Sequence, residues 1–197
     1  DGELAAVICI HDPLRREARD AVAALHACGI GKVVMMTGDN RQTAQAVARE
    51  VGVDAVYAEV LPEDKAAFIR SEKAAGRTVI MVGDGVNDSP ALSEADAGVA
   101  ISTGAAIARE IADITIASED LFELVTLRRL SQALMARIHR NYRFIVGFNL
   151  SLILLGVAGL LPPTTSALLH NMSTLGISLK SMTDLGPELP SPTPAER

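Results

Sequence analysis

Thr78-Val79-Ile80-Met81-Val82-Gly83-Asp84-Gly85-Val86-Asn87-Asp88 is the stretch on which the fold turns. Its first half is short, apolar and rich in β-branched residues, bounded by Gly76 and Gly83, and so reads as a buried parallel strand. Its second half sets Asp84, Asn87 and Asp88 just past that strand's carboxyl end, where open α/β sheets collect their ligands. Two carboxylates and an amide offer the oxygen donors that Mg²⁺ takes together with phosphate oxygens. Gly83 and Gly85 let the backbone turn tightly and approach a ligand. The plainer reading of the same residues is an acidic turn in which Asn87-Asp88-Ser89-Pro90 starts a helix.

A second strand, Lys32-Val33-Val34-Met35-Met36, runs into Thr37-Gly38-Asp39-Asn40 and then a helix carrying Ala44, Val47, Ala48 and Val51 on one face. Thr37 is thus also at a strand's carboxyl end, with Gly38 and the helix N-terminus offering N–H groups to an anion. In Leu61-Pro62-Glu63-Asp64-Lys65, Pro62 suits a first helical turn and Lys65 is a compact cation suited to a phosphoryl oxygen. A surface lysine in that position is more often simply solvated.

Working outward, strands are expected at 4–11, 32–37, 55–58, 78–83, 97–101 and 114–117, and helices at 15–28, 40–51, 62–75, 89–95 and 104–112. Such alternation predicts an α/β fold with a doubly wound parallel sheet over 1–118. Leu121, Leu124, Val125, Leu127, Leu130, Leu134 and Ile138 then recur at helical spacing, which predicts a long amphipathic stalk helix over 119–143. The tail, 183–197, is Pro-rich and is expected to be disordered. Cys9 and Cys28 read as buried reduced thiols, and His11, His26 and His139 have no partners at ligand spacing.

Charge divides the chain. Residues 1–123 carry 11 Lys and Arg against 21 Asp and Glu, whereas 124–197 carry 7 against 3. No carboxylate occurs between Glu123 and Asp184, which suggests a change of solvent. Inside that gap, Phe144 to Leu161 is an apolar stretch close to the roughly 20 residues a spanning helix needs. Pro162-Pro163 stops it, and a more polar stretch from Thr164 to Met182 returns. A two-helix transmembrane hairpin over 144–182 is therefore expected. Arg128, Arg129, Arg137, Arg140 and Arg143 before it and Lys180 at its end put both ends in the cytoplasm. Ser166, His170, Thr174, Ser178 and Ser181 share one face of the second span, where an ionisable residue marks a transport path unless the small residues simply pack helices. The soluble part has no basic patch and few aromatics, so nothing supports nucleic-acid binding.

Together, DPLR at Asp12 to Arg15, TGDN at Thr37 to Asn40, PEDK at Pro62 to Lys65 and GDGVNDSPAL at Gly83 to Leu92 resemble the phosphorylation domain of the P-type ATPases, in the haloacid-dehalogenase-like superfamily. The resemblance implies that Thr37 and Gly38 hold a phosphoryl group, with Asp39 in the same motif. It implies that Lys65 neutralises the phosphoryl charge, that Asp84 ligates Mg²⁺ with Asp88 beside it, and that Asn87 and Asp88 order the site. Asp12 and Arg15 would lie on the hinge and nucleotide side. The family's phosphorylated aspartate belongs to a DKTGT motif that does not occur here, and the actuator's TGE is likewise absent. A carboxyl-terminal piece of a longer, multi-pass cell-membrane pump is expected. The actuator, nucleotide-binding domain and earlier spans, with membrane lipid and ATP, would be its partners.

Gly159-Leu160-Leu161-Pro162-Pro163 resembles the loop of the heavy-metal branch. Asn149 follows Phe148 where copper pumps have Tyr-Asn, and His170 stands where they have Met, followed by Ser173-Thr174 at their Ser-Ser. The resemblance therefore implies a transported-metal site of His170, Thr174, Ser173 and Asn149, suited to zinc, cobalt, nickel or manganese more than to Cu(I). A phosphatase of the same superfamily, or a membrane-tethered non-catalytic subunit, are the other readings the motifs allow.

Overall fold

The computed structural model describes residues 14–84, 87–101, 110–117 and 120–185. The strand expected at 4–11, Asp12, Cys9, His11, most of the helix expected at 104–112 and the tail from 186 lie outside the described residues. The chain divides into two compact units, the first extending through Val125 and the second beginning at Thr126.

The first unit alternates helix and strand: α1 (Ala18–Ala27), β1 (Val34–Met36), α2 (Arg41–Val51), β2 (Ala55–Tyr57), α3 (Pro62–Ala74), β3 (Ile80–Gly83), α4 (Ser89–Glu94), β4 (Ala97–Ile101) and β5 (Ile114–Ile116). Each ladder is parallel, with Met35 opposite Val56, Val82 opposite Val99 and Ala100 opposite Thr115. The fold is thus α/β with parallel strands. Among the described residues the ladders form a two-stranded sheet, β1-β2, and a three-stranded one, β3-β4-β5, where one continuous sheet was expected. What joins β1 to β3 is side-chain packing: Met36 lies against the buried cluster of Ile69, Met81, Ala91 and Leu92. Full burial of Ile69 and Leu92 contributes roughly 1.5–3 kcal/mol each.

Two of the strands start later than the apolar runs suggest, and aspartates set where. The carboxylates of Asp54 and Asp96, each just ahead of the neighbouring strand, accept the amides of Val33 at 2.6 Å and Val79 at 2.8 Å. Asp113, ahead of β5, accepts the amide of Gly98 inside β4 at 2.8 Å. A carboxylate therefore takes the place of a ladder carbonyl at the amino-terminal edge of each pair. The opposite, carboxyl edge is left for the loops that carry the motifs.

Helix ends follow local chemistry. Asn40 caps α2 by accepting the Thr43 amide at 2.9 Å, and α2 stops at Gly52, whose φ of 81° is open to glycine. Pro62 occupies the first turn of α3, and the Asp64 carboxylate accepts the Leu61 amide at 3.3 Å. A Cβ at Gly98 would sit 2.8 Å from the Leu92 carbonyl oxygen, so the approach of α4 to β4 requires a glycine there.

The second unit is built on α5 (Phe122–Val157) and α6 (Pro163–Ser181). The amphipathic stretch and the first apolar stretch form one uninterrupted helix of 36 residues. Its first turn belongs to the first unit, where Phe122 and Val125 pack on Ala24, Leu25 and Cys28. Gly159, at φ 71°, turns the chain, and Pro163 opens α6. No helix among the described residues is long and apolar enough to cross a membrane. The reason is local: α5 ends at Val157, so Ala158 to Leu161 of the apolar stretch lie in the turn, and α6 is interrupted by Ser, Thr, His and Asn side chains.

Candidate functional site

Thr37 to Asn40 and Asp84, Asn87 and Asp88 follow the carboxyl ends of β1 and β3, while Lys65 stands on α3. Thr37 follows β1 directly and is half-buried. Its hydroxyl donates to the Asp39 carboxylate at 2.8 Å and accepts the Asp39 amide at 3.1 Å, which holds the side chain from two sides. The turn after β2 braces the same loop from below. The Thr37 amide donates to the Tyr57 carbonyl at 3.0 Å, the Glu59 amide to the Asp39 carbonyl at 2.9 Å and the Val60 amide to the Thr37 carbonyl at 3.0 Å. Glu59 makes its contact from φ 58°, a left-handed conformation that costs a non-glycine residue about 1–2 kcal/mol.

Across from it, Lys65 on α3 donates from Nζ to Asp88 Oδ1 at 2.7 Å. Both side chains are largely buried, with 15% and 14% of their surface exposed, so the pair is shielded well beyond an ordinary surface ion pair. Asp88 stands at the start of α4, where its carbonyl accepts the Leu92 amide at 2.8 Å. The backbone of β3 touches this carboxylate: a Cβ at Gly83 would lie 2.5 Å from Asp88 Oδ2 and 2.8 Å from its Cβ. Glycine at 83 is needed for that contact. Asp84 and Asn87, on either side, are exposed.

The charge around α3 and α4 is tied down by neighbours. Lys73 Nζ lies 3.4 Å from Asp96, and Arg70 pairs with Glu94 at 3.1 Å. The Asp96 carboxyl is held below its ordinary range, chiefly by the Val79 amide it accepts, with desolvation opposing and Lys73 adding further lowering. Glu72 is likewise lowered and Arg77 raised by their mutual hydrogen bond. None of these groups sits in a motif loop; they fasten α3 to α4 and to the approaches of β3 and β4.

Whether these residues suit Mg²⁺ can be judged from the donor set. Among the described residues no group of three or more His, Cys, Asp and Glu could hold a metal ion. Mg²⁺ does not need one, because it is usually held by one or two carboxylates with the remaining positions filled by water and substrate phosphate. Asp84, exposed at the end of β3 with Asn87 nearby in sequence, fits that partial shell. Asp88 fits less well as a ligand than expected, since one oxygen is taken by Lys65 and the other packs on Gly83.

In the second unit, His170 and Asn149 meet across α5 and α6, with His170 Nδ1 2.8 Å from Asn149 Oδ1. Ser173 and Thr174 do not turn toward that pair as donors; their hydroxyls donate to the His170 carbonyl at 2.8 and 3.0 Å. Arg15 lines an open depression with Glu17, Asp120 and Phe122 and touches no other motif residue among the contacts described. Asp12 lies outside the described residues.

Two contributors escaped the sequence reading. Glu59 and Val60 brace Asp39 and Thr37, respectively, through backbone amides, which leave no trace in residue type. Arg137, read only as a topology signal, is 95% buried and clasps the end of α6, donating to the carbonyls of Thr183 at 2.6 Å and Asp184 at 2.9 Å. Its place at helical spacing from Ala133 on the seam of α5 was the available clue.

Comparison with known proteins bears on this geometry. A family model for haloacid dehalogenase-like hydrolases matches residues 1–96. Copper-transporting ATPase 2 of Rhizobium meliloti (strain 1021) is 46% identical over 169 residues, covering 86% of this chain and 20% of the relative. The manganese-exporting P-type ATPase of Mycobacterium bovis (strain ATCC BAA-935 / AF2122/97) is 41% identical over 182 residues, covering 92% and 25%. Among solved structures, a zinc-transporting PIB-type ATPase in the E2.Pi state superposes with a TM-score of 0.80 at 32% identity, over 87% of this chain and 28% of that one. The chain spans a fifth to a quarter of the length of the curated relatives it matches. With the Thr37 and Asp84 loops at the carboxyl ends of parallel strands and matches that run over most of its length, the chain is homologous to heavy-metal-transporting P-type ATPases, and its first 96 residues to haloacid dehalogenase-like hydrolases.

Proposed function

We propose that this chain supplies the phosphoryl-transfer site and part of the cation path of an ATP-driven transition-metal pump of the cell membrane. The observation that carries the reading is the shielded Lys65–Asp88 pair at 2.7 Å, packed on Gly83 beside the exposed Asp84. A lysine held in place by a buried carboxylate presents its charge without the entropy loss a free surface lysine would suffer. In the proposed site Thr37 and the Gly38 amide bind phosphoryl oxygens, and Asp39 orients the Thr37 hydroxyl. Lys65 offsets the charge of the transferring group, and Asp88 positions Lys65. Asp84, with Asn87, would hold Mg²⁺, which would supply positive charge to offset that of the phosphoryl group. The acceptor aspartate would come from an amino-terminal part of the pump, with the actuator, nucleotide-binding domain and earlier spans, and Asp12 and Arg15 would face the nucleotide side.

In this reading 1–118 is the phosphorylation-domain part, 119–143 a stalk, 144–182 a membrane hairpin and 183–197 a tail. Support for lipid as solvent is chemical: Ile153, Leu154, Val157 and Leu160 are 60% or more exposed, and no carboxylate occurs between Glu123 and Asp184. Polar-spotted helices suit a bundle in which other spans complete the apolar surface. The His170–Asn149 pair, an imidazole beside an oxygen donor, favours a borderline divalent cargo such as zinc, cobalt, nickel or manganese. Copper is the competing cargo, since the relatives include copper transporters.

The test is a chimera in which the matching stretch of the Rhizobium copper-transporting relative is replaced by this chain. Phosphoenzyme formation from ATP is expected, lost with Asp84→Ala or Lys65→Met and kept with Gly31→Ala. A chimera that reaches the membrane and turns over equally well with Asp84→Ala refutes the site. Stimulation by divalent zinc, cobalt, nickel or manganese, reduced by His170→Ala, is expected; stimulation by Cu(I) alone refutes the cargo assignment.

A further inference from the structure

The hydrogen bond between Asn149 and His170 decides which nitrogen of the ring keeps its lone pair. α5 and α6 run antiparallel from the turn at Gly159, and their register is pinned far from that turn by Asn141 Nδ2 donating to Ser181 Oγ at 2.9 Å and Arg137 donating to the Thr183 carbonyl at 2.6 Å. Nearer the turn, the same register sets His170 Nδ1 2.8 Å from Asn149 Oδ1. An amide oxygen only accepts, so Nδ1 carries the hydrogen of the neutral ring and the lone pair lies on Nε2. Among the described residues nothing hydrogen-bonds that Nε2, and the side chain is exposed.

We propose that Asn149 is a positioning residue and not a ligand: its Oδ1 holds the Nδ1 hydrogen and so presents His170 Nε2 as the one atom this pair gives to the transported cation. The inference deepens the cargo-site reading given above and rests on it. The shape of the ring carries the argument. The two nitrogens of an imidazole point outward at about 144° to each other, so an ion at about 2.0–2.1 Å from Nε2 would lie about 6–7 Å from Asn149 Oδ1. A zinc–oxygen bond is only about 2.0–2.2 Å long. One ion therefore cannot take both side chains as ligands in this arrangement. A ring already fixed in tautomer and orientation can bind a divalent cation without first moving a proton, and removing such an outer partner lowers metal affinity by about 10–100-fold.

The first readout is the tautomer itself. In the full chain labelled with ¹⁵N-histidine, in mild detergent at about pH 8.5 where an imidazole is ordinarily neutral, long-range ¹H–¹⁵N correlations tell a ring nitrogen bearing hydrogen from one bearing a lone pair. His170 is picked out of the four histidines by the signals lost in His170→Ala. The expected result is hydrogen on Nδ1 and the lone pair on Nε2, the reverse of what free histidine favours. Asn149→Leu should return the hydrogen to Nε2, whereas Asn149→Asp, whose oxygens still accept, should keep it on Nδ1. Zn²⁺ added to the parent should shift Nε2 and leave the Nδ1 hydrogen in place. Hydrogen on Nε2 in the parent, a tautomer indifferent to Asn149→Leu, or zinc that displaces the Nδ1 hydrogen each overturns the inference. The second readout uses the chimera described above. Its Zn²⁺ concentration for half-maximal phosphoenzyme formation should rise by about tenfold or more in Asn149→Leu and recover in Asn149→Asp. A rise in His170→Ala with none in Asn149→Leu overturns the inference alone. No change in either variant overturns the cargo-site reading and this inference with it.

Discussion

Gly83→Ala separates a glycine that is merely convenient from one that the site requires. At an unstrained strand position alanine is better than glycine by roughly 0.5–1 kcal/mol. At 83 the new Cβ would lie 2.5 Å from Asp88 Oδ2 and 2.8 Å from Asp88 Cβ. Carbon atoms pack at about 3.5 Å or more, so Asp88 must retreat by about 0.7 Å. Its backbone is anchored at the start of α4, with the carbonyl bonded to the Leu92 amide, so the side chain takes up the motion. The 2.7 Å bond to Lys65 then stretches to or beyond the usual limit of about 3.2 Å. Overpacking costs about 1–3 kcal/mol, and loss of a buried pair about 3–5 kcal/mol; partial exposure of both partners reduces the second, for a net destabilisation of about 2–3 kcal/mol.

The measurement is urea unfolding of the purified full chain in mild detergent, in a Tyr142→Phe background. Tyr57, whose ring lies 4.8 Å from that of Phe68, then reports on β2 and α3. Gly31→Ala is the control, because nothing lies within 4 Å of a Cβ there and it should be neutral or stabilising. A Gly83→Ala protein within about 0.5 kcal/mol of the parent, matching the Gly31→Ala control, refutes the argument.

Other perturbations read separate parts of the molecule. Arg137→Ala removes two short charged hydrogen bonds to the end of α6, each worth about 1.5–3 kcal/mol, and should speed hydrogen exchange at the Met182 and Thr183 amides by about tenfold or more; unchanged exchange refutes the clasp. Because Asp96 is lowered in the folded chain by the Val79 amide and then Lys73, its contribution is present above the ordinary carboxylate range and is lost as pH falls through that range. The stability advantage of the parent over Asp96→Asn should therefore shrink on acidification from pH 6, and an advantage that grows in acid contradicts the assignment. The chain by itself should form no phosphoenzyme from labelled ATP, since a phosphoryl site without its acceptor carboxylate has no covalent step to offer. Labelling abolished by substituting one aspartate of this chain would overturn that.

How far the sequence could be read depended on whether a feature was encoded within a few residues or across many. The strand at 80–83, the helix that Asn40 caps and the Pro62 start of α3 all lay close to their expected places, because a cap, a proline or a β-branched run acts over one turn. Strand starts shifted inward at β1 and β3, because Asp54 and Asp96 reach from distant positions to take the first amides. The break between α5 and α6 fell at Gly159 rather than at Pro162-Pro163, since the helix frays into a left-handed turn before the prolines intervene.

By itself the sequence determined the alternation of parallel strands and helices, the residue types in the motif loops and the division of charge along the chain, each a property of neighbouring residues and their periodicity. Tertiary structure decided which of those residues act on each other. Lys65 and Asp88 are separated by 23 positions yet form a shielded pair, and Val60 holds Thr37 in place through its backbone amide. Ser173 and Thr174, though next to His170 in the same pattern, turn back onto their own helix while Asn149 reaches His170 from α5. The physical reason is that a hydrogen bond or a close glycine contact requires atoms within about 3 Å, a condition met only when packing brings remote segments together.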